Sequence, residues 1–361
     1  MKKKLILLAS IMTVVVILVF VIALYFNRNS KEESTANNDN IRVVTSFYPT
    51  YVLTINLTDQ IPGLKVDSLT DFSAGCLHDY QLTTNDMRLL SNADIFIING
   101  GGMEEYLGDV IDNYKDLTVI DLSSGIAMLE GHSHKGHSHS EALYGEVPHE
   151  GEEGKEDSHD EEHDGEEGGE ASHSQEVNPH IWLDPDLYML QIENARKGLE
   201  QYLTNNEKES LSHKTIESLN SNTLAYLQEV QELADEMNLV LDTVKDMVTN
   251  KAISNKVVVF HESFAYLANK AGLEVAYTVE IDEDSPLSAG ELAEIIDAIK
   301  DEGIRYMFTE EQYDDTISDR IKEETGSHLY IIDSAVTGDA AKNSYLVAMR
   351  NNINTLKKAF E

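Results

Sequence analysis

The chain has 361 residues, enough for two domains of ordinary size, and a formal net charge of −38 from 27 basic and 65 acidic groups. That balance excludes a nucleic-acid binder, because phosphate contact needs a cationic face, and it suits a solvated surface that attracts cations. A single cysteine, Cys76, excludes an internal disulfide, so an exported domain built from this chain must rest on its hydrophobic core.

Lys2–Lys4 precede an apolar run from Leu5 to Phe26, close to the ~20 residues that span a hydrocarbon core. The run ends without a convincing small-residue cleavage site, and no cysteine follows it closely. Residues 1–28 are therefore expected to be a retained membrane anchor or uncleaved signal, with the rest of the chain on the extracytoplasmic face. Cleavage beyond Ser30 is the alternative. The polar stretch 29–40 reads as a linker.

Short apolar runs predict strands at Arg42–Ser46, Lys65–Leu69, Ile95–Asn99 and Leu117–Leu122. Helices are predicted between them at Pro49–Leu57, Thr83–Asn92 and Glu104–Tyr114. Such alternation indicates an α/β lobe with a parallel sheet, placed here at 41–205. Within it, Gly131–Ser174 differs in kind. It carries His132, His134, His137, His139, His149, His159, His163 and His173 among dense Glu and Asp, with few apolar side chains. Too little apolar surface is available there to offset the cost of ordering, so the insert is expected to be disordered. Imidazoles among carboxylates are also loose ligands for zinc, which makes these eight histidines an accessory metal set.

Beyond the insert, apolar residues recur at helical spacing from Met189 to Tyr202 and again from Ile216 to Val244. No Gly or Pro interrupts Asn205–Met247, and at about 1.5 Å per residue such a helix would be on the order of 50 Å long. It reads as a rigid linker over 206–250 between two lobes. The second lobe, 251–361, repeats the alternation. Strands are predicted at Val257–Phe260, Glu274–Val279, Arg305–Thr309 and Leu329–Ile332. Helices are predicted at Ser263–Ala271, Leu292–Asp301, Ile317–Thr325 and Ala341–Phe360, the second opened by a Ser288–x–x–Glu291 capping box.

Four positions stand out. His78 lies in a loop after a strand, His180 in the rigid NPHIWLDP stretch at 178–185, His261 directly after VVVF, and Asp333 directly after LYII. Open parallel sheets place their ligands at strand ends, where His78, His261 and Asp333 sit. Three imidazoles and a carboxylate, brought together across a cleft, would fill a tetrahedral zinc site at ~2.0–2.2 Å. Each position also has a plainer reading, a hydrogen-bonded histidine or a turn-capping aspartate. Outside the insert only His213 and His328 remain, read as a solvated helix residue and a turn residue.

Several longer stretches carry a resemblance. TSFYP at 45–49, LHDYQLTTNDMRLLSNAD at 77–94, NGGGMEEYL at 99–107, NPHIWLDP at 178–185, FHESFAYLANKAGL at 260–273 and DSAVTGDAAKNSYLVAMRNNINTL at 333–356 resemble one family. It comprises the metal-binding subunits of bacterial zinc and manganese uptake ABC transporters, the cluster 9 (cluster A-I) solute-binding proteins. The resemblance runs from about Arg42 to Phe360. It implies two α/β lobes bridged by a rigid helix, with His78, His180, His261 and Asp333 as ligands.

Manganese members usually carry Glu at the third position, so His261 favours zinc, and zinc members often carry a His/acid insert where this one lies. The resemblance thus implies a high-affinity Zn²⁺ receptor that delivers its ion to the transmembrane subunit of an ABC permease. The chain departs from the family in lacking the lipoprotein cysteine and in carrying Cys76 two residues before His78. Cys76 reads either as a small loop residue or as a ligand competing with His78. Glu262 and Glu310 read either as solvated acids or as partners that orient ligands.

Other readings are a manganese or broader divalent-metal receptor, a zinc-buffering adhesin active in cell adhesion through the insert, and a surface zinc hydrolase. The hydrolase lacks an H-E-x-x-H motif, and four protein ligands would leave no open position for water.

Overall fold

The computed structural model describes residues 40–77, 80–131, 177–205, 213–279, 288–310 and 315–360. The predicted anchor and nearly all of the linker after it, His78 and the eight histidines of the insert lie outside the described residues. Among the described residues no helix is long and apolar enough to cross a membrane.

Two four-stranded parallel sheets form the centres of two α/β lobes. The first contains β1 (Ile41–Thr45), β2 (Leu64–Ser68), β3 (Ile95–Ile98) and β4 (Thr118–Asp121), in the order β2-β1-β3-β4. The second contains β5 (Lys256–Val259), β6 (Glu274–Thr278), β7 (Tyr306–Glu310) and β8 (His328–Ile332), in the order β6-β5-β7-β8. The two orders are the same. The inner strands are continuous apolar runs because helices cover a parallel sheet on both faces. Val43, Ile95, Phe96, Ile97, Val257, Val258 and Val259 are all fully buried.

In the first lobe α1 (Tyr48–Leu57) and α2 (Thr84–Ser91) follow β1 and β2. The Thr83 hydroxyl caps α2 by accepting from Asp86 N–H, and the Asp86 carboxylate accepts from Thr83 N–H in return. The helix predicted at Glu104–Tyr114 is instead a 3₁₀ segment, Glu105–Asn113, broken at Gly108 (φ 43°, ψ −135°). Gly108 permits the break because a residue without Cβ takes that backbone freely. In the second lobe the helix predicted from Ser263 begins as a 3₁₀ turn, Glu262–Phe264, before α5 (Ala265–Ala271). Helices α6 (Ala289–Glu302), with its predicted Ser288/Glu291 capping box, and α7 (Asp315–Thr325) complete this lobe's outer layer.

Helix α3 (Pro185–Asn205) packs on β4 of the first lobe and on the 37-residue α4 (His213–Thr249), which runs between the lobes with α8 (Ser344–Phe360) packed on it. At 1.5 Å per residue α4 is about 55 Å long. Its apolar stripe, including Leu219, Val230, Leu233, Met237, Leu241 and Val244, is buried in one core cluster. That cluster takes in Leu53 and Leu57 of the first lobe and Leu267 and Leu356 near the second. Burying each such side chain contributes about 1.5–3 kcal/mol relative to exposure.

Trp182 ties the lobes directly. It is fully buried, its indole Nε1 donates to the carbonyl of Ser334 (2.8 Å), and its own carbonyl accepts from Tyr345 Oη (2.8 Å). Tyr188 stacks on Tyr345 with ring centroids 3.9 Å apart. The stretch after the insert is thus held against both lobes.

Candidate metal centre

The candidate ligands come from chain turns at the facing ends of the two sheets. Cys76 lies in the loop after β2, His180 just before a 3₁₀ turn at Ile181–Leu183, and His261 immediately after β5 and Phe260. Three potential ligand atoms, one each from Cys76, His180 and His261, fall within 4.8 Å of one another. Cys76 Sγ is 3.3 Å from His180 Nε2, and the two imidazole rings meet edge to face at 4.7 Å. The first lobe supplies Cys76 and His180, and the second supplies His261.

Both rings are held through the nitrogen that faces away from this meeting point. His180 Nδ1 donates to Asn178 Oδ1 (3.0 Å), which also accepts from His180 N–H (3.0 Å). Asn178 is itself fixed across the lobes, because its Nδ2 donates to the carbonyl of Glu262 (2.9 Å). His261 Nδ1 donates to Glu310 Oε1 (2.9 Å), and the Ser263 hydroxyl donates to the same carboxylate oxygen. With Nδ1 engaged on the far side, each ring turns its Nε2 edge toward the meeting point, the nitrogen through which a neutral imidazole so held binds a metal ion.

The electrostatics follow from this packing. Burial holds the His180 imidazole below its usual range, against an opposing pull from Cys76. Burial acts the same way on His261, but the Glu310 carboxylate and the Cys76 side chain outweigh it and hold the imidazole well above its usual range. Burial works to raise Glu310, yet the charge and hydrogen bond of His261 and the Ser263 hydroxyl keep it below its usual range. Each member of the pair thus favours the charged form of the other. A metal ion bound at His261 Nε2 would have to displace the proton that nitrogen carries in the imidazolium form, so binding there competes with protonation.

Of the residues expected from sequence, His180 and His261 meet here. Asp333 ends the chain's run from β8, as expected, but it does not join the three-residue group. Its Oδ1 accepts from Ala335 N–H (2.8 Å), and its backbone is bracketed by the Asn352 side chain. It lines a pocket with Tyr48, Thr337 and Asp339. His78 lies outside the described residues, as do His132, His134, His137, His139, His149, His159, His163 and His173. His213 and His328 are exposed, at the start of α4 and of β8. Glu262 and Glu310, left open between solvated acids and orienting partners, are both buried beside the rings; Glu262 Oε1 is 3.5 Å from His180 Nδ1.

Sequence reasoning did not single out Asn178 or Ser263. The signal for Asn178 was its place two residues before a histidine across a proline, where a short amide side chain folds back on its own backbone. The ends of the insert are also joined here. Glu130 and Val177 form an antiparallel bridge, Asn178 N–H donates to the Leu129 carbonyl (2.9 Å), and Tyr266 Oη donates to the Asn178 carbonyl (2.6 Å). The insert thus leaves and re-enters the fold close to His180.

Residues 43–359 match the family described as zinc-uptake complex component A, periplasmic. The zinc-binding protein AdcA of Streptococcus pyogenes is 25% identical over 325 residues, 88% of this chain and 55% of that protein. The chain therefore spans about half the length of the AdcA relatives it matches. The high-affinity zinc uptake system protein ZnuA of Bacillus subtilis is 24% identical over 339 residues, covering 92% of this chain and 91% of that one. Among solved structures, zinc-bound AdcA from Streptococcus pneumoniae superposes with a TM-score of 0.64 at 20% identity, over 89% of this chain and 58% of that chain, a likeness of fold. Taken over nearly its whole described length, the chain belongs to the zinc-uptake complex component A family.

Proposed function

We propose that this chain is an extracytoplasmic zinc receptor that captures Zn²⁺ between its lobes and delivers it to the transmembrane subunit of an ABC permease. The observation that carries the reading is the meeting of His180 and His261 from opposite lobes, each with its Nδ1 held by a dedicated buried partner. Buried imidazoles so oriented suit zinc better than manganese, which prefers carboxylate and water. His78 and Asp333 complete the ligand set in this reading, on the resemblance of their motifs. The histidines of the insert act as an accessory, weaker zinc set, and residues 1–28 tether the receptor to the membrane. The function is capture without catalysis. The lobes 41–205 and 251–361, bridged by 206–250, release the ion when the permease separates them.

A competitive zinc titration of the chain, of a variant lacking Gly131–Ser174, and of that variant carrying His180→Ala tests this. One tight zinc should survive removal of the insert and be lost with His180. Tight binding that disappears with the insert, or that is indifferent to His180→Ala, would overturn the assignment.

A further inference from the structure

We propose that Cys76 is itself a zinc ligand, taking the place that the receptor reading gives to His78, so that Cys76, His180 and His261 surround one ion in a mixed thiolate–imidazole site. This deepens the receptor reading above and rests on it.

The geometry points to Cys76 in three ways. Its Sγ lies 3.3 Å from His180 Nε2, and the ligand atoms of all three residues fit within 4.8 Å. A tetrahedral zinc with Zn–S about 2.3 Å and Zn–N about 2.05 Å holds sulfur and nitrogen about 3.6 Å apart, so little movement is needed to admit the ion. Both imidazoles are pinned on their far side by Asn178 and Glu310, which leaves Nε2 of each ring turned toward the sulfur. Finally, the three residues reach the point from two lobes and from positions 104 and 185 residues from Cys76 along the chain. Local sequence proximity does not account for their meeting.

As the Zn–S and Zn–N bonds form, the thiol and any ring still protonated at Nε2 release their protons to solvent; no electron is exchanged. A thiolate in the set sharpens selectivity, because sulfur favours zinc over the oxygen-seeking manganese and magnesium. The cargo class is therefore a borderline divalent ion of zinc's kind, not a hard cation.

Cobalt(II) is the probe, since a thiolate bound to it gives a near-ultraviolet charge-transfer band that imidazole and carboxylate do not. Cys76 is the chain's only cysteine, so histidines elsewhere cannot produce that band. With the full chain, the band should saturate at one cobalt, vanish in Cys76→Ser, and vanish or weaken strongly in His180→Ala. Zinc should displace it. Cys76→Ser should lower zinc affinity by more than the ~10–100-fold that loss of an outer-shell partner costs, and change manganese affinity by less than ~3-fold.

Cobalt binding that depends on His180 but shows no such band overturns the Cys76 assignment and leaves the receptor reading intact. A band that persists in both His180→Ala and His261→Ala places the thiolate away from the imidazoles and also overturns it. No band, together with metal binding indifferent to His180, overturns both readings.

Discussion

The two lobes share one strand order and use it differently. In each, the order reverses between the first and third strands, the place where an open parallel sheet presents a crevice. A buried glutamate sits at each of these points. In the second lobe Glu310, at the end of β7, holds His261 and is kept below its usual range by that positive partner. In the first lobe Glu104 accepts from the N–H groups of Asn99 (2.8 Å) and Gly100 (3.0 Å) just after β3. No cation faces it in the interactions described, and burial pushes it up to about 7. Gly100 has φ +79°, and a Cβ there would collide with Asp121 and Ser123, so this turn is built for packing. One crevice sets its acid beside a candidate ligand, and the other uses its acid to hold a turn. The first lobe's candidate ligands, Cys76 and His180, come instead from longer excursions, the loop after edge strand β2 and the return from the insert. A duplicated frame thus does not duplicate a site; what matters is whether the buried acid is given an imidazole.

The strongest way to break this picture is to cut the lobes apart at their shared anchor. Trp182→Ala removes the ring that reaches Ser334 and should cost about 3–5 kcal/mol in urea unfolding, with loss of zinc affinity as the lobes lose register. A destabilisation below about 1 kcal/mol would show that Trp182 is not a principal tie between the lobes.

Glu310→Gln should lower zinc affinity about 10–100-fold, as removal of a histidine's outer partner does, while the folded state persists. The matching change in the first lobe, Glu104→Gln, should leave zinc affinity within about 3-fold. Equal effects of the two on binding would erase the distinction between the crevices.

The same pair sharpens in pH. Glu104 ordinarily titrates at 4.5 and is raised to about 7 when folded. Between those values the folded chain holds a proton that the unfolded chain has released. Stability should therefore fall as pH rises across that window, by at most about 3 kcal/mol, and level off above it. Glu104→Gln should flatten that slope in denaturation measured at several pH values; an unchanged slope would show that Glu104 is not the titrating group.

The smallest effect belongs to the exposed ion pair between the lobes. Lys342 Nζ lies 2.6 Å from Asp59 Oδ2, with both side chains substantially solvated. Lys342→Ala should change stability by less than about 1 kcal/mol, more weakly still in high salt. A larger loss would make surface charge a partner of Trp182 in holding the lobes.

Much of the frame was legible because burial writes itself into local pattern. The runs at Val43–Val44, Ile95–Ile97 and Val257–Val259 are apolar without alternation, as strands covered on both faces must be. The stripe of α4 and the Ser288 capping box were equally local signals. Less legible was the 3₁₀ segment at Glu105–Asn113, whose composition suits a helix but whose Gly108 takes a left-handed turn. Within the site, His180 and His261 were visible as histidines at chain turns. Asn178 was not, because an asparagine beside a proline is far more often a turn former than a ring holder. Glu310 could be placed at a strand end but not given a partner, since that partner lies 49 residues earlier.

By itself the sequence determined the two α/β lobes, the long helix between them, the charge that excludes nucleic acid, and the histidines that make a cation the natural ligand. These follow from hydrophobic periodicity and residue chemistry, which act over a few neighbouring positions. The tertiary structure decided that Cys76 stands with His180 and His261, that Glu310 rather than Glu104 is paired with an imidazole, and that Asp333 bonds Ala335. Those outcomes depend on which strand ends face one another once two sheets and α4 have packed. Contacts between residues so far apart in the chain are set by the whole core and not by any local stretch.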